Sequence, residues 1–99
     1  MTSRAVFIGD AVAAAGWRLA GVDTRVPEPG AAGEALAAVP QETTLVLVDA
    51  DTAARIPERQ LRAALRRVSP ITVIVPDLRA AVPYPDLAAR MKRQLGIES

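Results

Sequence analysis

The chain has 99 residues, about half of them hydrophobic but only three aromatic, so it suffices for one small domain with a core of Val, Ile, Leu and Ala. A formal net charge of +1 gives no overall electrostatic pull toward nucleic acid or an anionic membrane. Cysteine and histidine are both absent, which excludes disulfides, thiolate or imidazole metal sites, Cys or His nucleophiles and every Ser-His-Asp arrangement.

Ala5 to Ile8 is a short apolar run of strand-forming residues that stops at Gly9-Asp10, where the pattern changes period. Gly9 permits a turn, and Asp10 is placed to accept from the free N–H groups of a following helix and to sit at its positive end. That helix, Ala11 to Ala20, is mostly alanine, which favours helix and lets its backbone lie close to a sheet. Trp17 supplies the bulk the alanines lack, and core is the plainer reading for it. Gly21 suits the helix end. Val22 to Val26 reads as a short second strand with charge between its apolar ends, hence an edge. The cluster Pro27-Glu28-Pro29-Gly30 leads into a second helix with Ala32, Ala35, Leu36 and Val39 on one stripe, and Pro40 stops it.

Thr44 to Val48 is the most continuous apolar strand and reads as a central one, with Asp49-Ala50-Asp51 at its carboxyl end. Thr52 to Ile56 suits a helical turn. Pro57 breaks a straight run, so the main helix is predicted from Pro57 to Arg67, burying Leu61, Ala64, Leu65 and Val68. Arg59, Arg62, Arg66 and Arg67 take the rest of its surface. Ser69-Pro70 ends it, and Ile71 to Val75 is a fourth apolar strand. Asp77 to Pro85, with Pro83-Tyr84-Pro85, behaves as a linker. Pro85 and Gly96 frame a last helix whose apolar side is Leu87, Ala88, Met91 and Leu95.

Strands alternating with helices at this spacing imply an α/β fold: a four-stranded parallel sheet of order 2-1-3-4, Rossmann- or receiver-like, with a C-terminal amphipathic helix. The expected division is a sheet domain over residues 1–77 and a linker with terminal helix over 78–99. A change of winding between the first and third strands places a crevice at their carboxyl ends. The N-terminus superficially imitates a secretory signal, but Asp10 interrupts its apolar part and the same residues are explained as strand and helix. No apolar run approaches the ~18 residues of a membrane span, so a soluble, cytoplasmic protein is expected.

Asp10, Asp49, Asp51 and Asp77 all follow strands, and the fold collects them near one rim. Carboxylates gathered there suit Mg²⁺ or a phosphoryl group, as in a receiver domain. The comparison lacks a lysine after a late strand, a second Asp directly after the first strand, and a fifth strand. Asp10 and Asp51 serve equally as helix caps. Gly9 stands alone where a dinucleotide fold needs G-x-G-x-x-G, and no phosphate-binding G-x-x-x-x-G-K-[ST] occurs. The arginines of the Pro57 helix suit RNA or an acidic partner, but without interleaved aromatics a solvated face is the plainer reading. The last helix either completes the core or turns Leu87, Met91 and Leu95 toward a partner helix, and its Pro-bracketed linker gives it independence.

Ile8-Gly9-Asp10, five residues, and Gly16-Trp17-Arg18-Leu19-Ala20-Gly21 resemble the opening of the F subunit of V/A-type rotary ATPases. Pro70-Ile71-Thr72-Val73-Ile74-Val75-Pro76 resembles that family's proline-bracketed fourth strand, and Gln94-Leu95-Gly96-Ile97-Glu98 its ending. The resemblance implies a non-catalytic rotor-stalk subunit without a cofactor, bound to the D subunit coiled coil. Its neighbours would be the A and B catalytic hexamer and the subunit connecting stalk to ring, peripheral to the membrane. Leu78 to Tyr84 lacks distinctive family residues. The surface expected to meet D is Leu87, Met91 and Leu95 with the rim near Asp10 and Asp77. The alternative is a receiver-like signalling module with an acidic phospho-acceptor site.

Overall fold

A computed structural model describes residues 4–76. Asp77, the linker, and Leu87, Met91 and Leu95 of the expected terminal helix lie outside the described residues, as does the expected boundary at 77/78. The elements are β1 Ala5–Ile8, α1 Ala11–Leu19, β2 Asp23–Arg25, a 3-10 turn Pro29–Ala31 running into α2 Ala32–Ala37, β3 Leu45–Asp49, α3 Ala50–Ala53, α4 Glu58–Arg66 and β4 Ile71–Val75. All strands are parallel in the order β2-β1-β3-β4, as the alternation of strand and helix patterns predicts.

Because successive strand residues point to opposite faces, the sheet separates two cores. On one face Phe7, Leu47 and Val75 meet Ala13, Ala14 and Trp17 of α1. On the other, Val6, Ile8, Val46 and Val48 meet Ala32 and Leu36 of α2 and Ala53 and Ile56 around α3. Right-handed crossovers account for this division. The chain moves one way from β1 to β2 and the other way from β2 to β3 and β4, so α1 falls on one face and the later helices on the other.

α1 begins as its sequence requires. Asp10 is its N-cap and accepts from Val12 N–H at 2.9 Å and Ala13 N–H at 3.0 Å. Gly21 closes it with φ +93°, a conformation that side-chain-bearing residues resist. Trp17 is 1% exposed and stacks on Phe7, ring centroids 5.7 Å apart at 24°. α2 is tied to α4 by Gln60 Nε2 donating to Gly33 O at 2.7 Å.

Two expectations fail around α4. Leu61 and Ala64 pack against the sheet, but Leu65 is 43% and Val68 88% exposed. The helix ends at Arg66 and Arg67 is extended, so the 3.6-residue period no longer applies at Val68. Leu65 lies to the solvent side of the line through Leu61 and Ala64. The helix start is also later than predicted: Pro57 is the residue before the first turn, not part of it.

Candidate functional site

The crevice expected between the first and third strands is present. It is a cleft of about 280 Å³ whose lining includes Gly9, Asp10, Asp49, Asp51, Thr52 and Arg55. β1 and β3 are adjacent and parallel, so both deliver their following residues to the same rim. Asp10 and Asp51 come together there with Asp49, while Asp77 lies outside the described residues.

Asp49 organises this rim. It is 5% exposed, Oδ1 accepts from Thr52 N–H at 2.7 Å, and Oδ2 accepts from Asp10 N–H at 3.0 Å. One carboxylate therefore caps α3 and also holds the residue that caps α1. Burial, the largest single influence, pushes the Asp49 carboxyl up. The hydrogen bonds from the Thr52 side chain and backbone and from Asp10 together outweigh it and hold the carboxyl below its ordinary value. Of the two caps expected from sequence, Asp10 is one. The cap of α3 is Asp49 and not Asp51, which sits in the first turn of that helix. The sequence carried the signal: Asp49 ends the strand pattern and Thr52 stands three residues on, where a capped N–H belongs.

Gly9 completes the arrangement by what it lacks. Its N–H donates to Arg25 O at 3.1 Å. A Cβ there would overlap Asp49 Oδ2 and the ring of Phe7. Gly9→Ala is accordingly expected to cost about 1–3 kcal/mol by pushing Asp49 off its two donors. Urea unfolding checks this, and a midpoint unmoved from the parent would show that the rim has slack.

The chemistry of the cleft is that of a brace. Both oxygens of Asp49 are spent on backbone donors, and Asp10 is spent on the start of α1. Among the described residues no group of three or more side chains is placed to hold a metal ion, and no helix is long and apolar enough to cross a membrane. A family model described as ATP synthase (F/14-kDa) subunit matches residues 5–93, from the first residue of β1 to beyond Met91. No curated protein and no solved structure matches the chain.

Proposed function

The chain belongs to the ATP synthase (F/14-kDa) subunit family of non-catalytic stalk subunits, and on that premise we propose that it serves in the central rotor of a V/A-type ATPase, bound to the D subunit coiled coil. In that role it turns with the shaft inside and below the A and B hexamer, next to the subunit that joins stalk to ring. It helps couple ATP hydrolysis or synthesis to ion movement while other subunits perform the chemistry. Its place is the cytoplasmic side of the membrane, peripheral to it as part of the complex.

The observation that carries this reading is the extent of the family match. It takes in all four strands and continues through Leu87 and Met91, so the terminal segment belongs to the family pattern along with the sheet. A sheet with two separate cores, braced at one rim by Asp49, is suited to a part that must not deform under load. No observation favours the receiver-like alternative, since Asp49 is committed to both helix starts.

The contact with D is assigned to Leu87, Met91 and Leu95, with Asp10 and Asp77 at the adjoining rim. Buried apolar anchors carry most of the free energy of such contacts. Introducing charge with Met91→Asp and Leu95→Asp together is expected to weaken D binding roughly tenfold to a hundredfold. Titration of D against both proteins measures it, with circular dichroism to show that the sheet stays folded. Equal affinity for parent and variant would move the D contact elsewhere.

A further inference from the structure

α2 and α4 cover the same face of the sheet and are joined near their starts, where Gln60 Nε2 donates to Gly33 O. Toward their ends they part. α2 runs out at Ala37 after six residues, and α4 presents Ala63 and Ala64 to the space beside it, side chains too short to close the gap. Leu65 has the length to do so but is turned away from Ala63 and exposed. The result is a cleft of about 480 Å³ at the amino ends of β3 and β4, where Pro40-Gln41 and Ser69-Pro70 lead into the strands. The Asp49 rim lies at the opposite end of the sheet.

Two polar groups in this cleft are left over by the fold. Val46 and Thr72 are register partners, so their side chains rise from neighbouring strands on the same face, beneath the gap between the helices. Thr72 is 7% exposed, its hydroxyl has no hydrogen-bond partner among the described residues, and yet that hydroxyl is not sealed from solvent. The part of Thr72 that stays accessible therefore includes its hydroxyl, and it opens on the cleft. Polar groups this deep are ordinarily paired. Arg67, which follows the last turn of α4, also lines the cleft and pairs with no carboxylate among the described residues. No acidic side chain lines it, and Ser69 adds a second hydroxyl two residues on.

We infer that the cleft between α2 and α4 is a binding site for a small amphipathic monocarboxylate, a short aliphatic body carrying one carboxylate. Arg67 supplies the full positive charge and a forked pair of donors, and the Thr72 hydroxyl supplies a further donor. The aliphatic body lies against Leu36, Val39 and Val46, giving the mix of apolar wall and few polar groups that small-molecule sites share. The helix ends limit the charge. Both helices run back against the strands, so α2 and α4 bring the partial negative charge of their C-termini to this end of the sheet. One guanidinium outweighs that field for a single carboxylate, whereas a doubly charged phosphate meets more repulsion with no second cation to offset it. A nucleotide also finds no aromatic ring in the lining to stack on. A cationic ligand is repelled by Arg67, and a wholly apolar one would seal the Thr72 hydroxyl away without a partner. The site is independent of the rotor role and of the D contact proposed above.

The test is a titration of the ¹⁵N-labelled full chain with hexanoate, below the concentration at which hexanoate self-associates, followed by amide shifts in NMR. The expected result is saturable shifts at Val46, Ala64 and Thr72, with Asp10 and Asp49 unmoved. Arg67→Gln, at an exposed position, should weaken binding by about tenfold. Thr72→Val keeps the shape and removes the hydroxyl, and should weaken it by about threefold or more. Ala63→Leu, also at an exposed position, puts a longer side chain into the gap and should abolish the shifts while the rest of the spectrum stays that of the folded parent. Hexanol and hexylammonium should each bind at least about tenfold more weakly than hexanoate, and inorganic phosphate should leave the three amides where they are. The inference is overturned if hexanoate gives no saturable shifts at those amides, or if either Arg67→Gln or Thr72→Val binds it as the parent does. Equal binding of hexanol or hexylammonium, or matching shifts with phosphate, overturns it as well.

Discussion

Trp17→Ala is expected to cost about 3–5 kcal/mol, which in a domain this small approaches the whole margin between folded and unfolded. The size follows from what surrounds the indole. The other inward residues of α1 are Ala13, Ala14 and Gly16, which have no side-chain length with which to fill a void. On the sheet side Phe7 would lose its stacking partner and Leu47 part of its cover. Trp17→Phe keeps a ring against Phe7 and should lose less than half as much. Thermal and urea unfolding of the three proteins, at equal denaturant slope, measures the order. An alanine variant as stable as the phenylalanine one would mean that this core is not centred on the tryptophan.

Asp49→Ala is the second large effect, about 3 kcal/mol, because it removes the cap of α3 and leaves the Asp10 N–H without its acceptor. Asp49→Asn retains an acceptor for only one of the two donors in good geometry and should fall between. The effect carries a pH signature whose sign can be worked out. The folded-state pKa of Asp49 lies below the unfolded value of about 3.9, so its stabilisation is complete above that pH and is lost as pH falls through the folded value. The stability gap between parent and Asp49→Ala should therefore be constant through neutral pH and shrink below about pH 4. A gap that stays the same in acid would show that the loss came from packing and not from the charge.

The strands and their order were legible because the apolar runs at Ala5, Leu45 and Ile71 are short, rich in β-branched residues and closed by Gly9, Asp49 and Pro76, and because helical periods separate them. The cap at Asp10 was legible for the same local reason. What escaped the sequence depends on long-range placement. Whether Asp49 or Asp51 caps the third helix is decided by the end of a strand, and end positions shift by a residue with pairing. The exposure of Leu65 and Val68 follows from α4 ending at Arg66 near the sheet edge, and helical periodicity has no knowledge of where an edge lies. The rim was anticipated as a collection of acids. Its real organisation, one buried carboxylate serving two helix starts, depends on bringing together residues 39 positions apart.

That every strand runs the same way has a mechanical consequence. A force drawing the start of β1 away from the far end of β4 acts along the strands, across the hydrogen bonds that join them. All the bonds of a ladder are then strained together, and the sheet must slide as a block before any one of them opens. A fold of antiparallel hairpins tugged at its ends would peel rung by rung. In the rotor role proposed above, such a part would give almost nothing until it gave entirely.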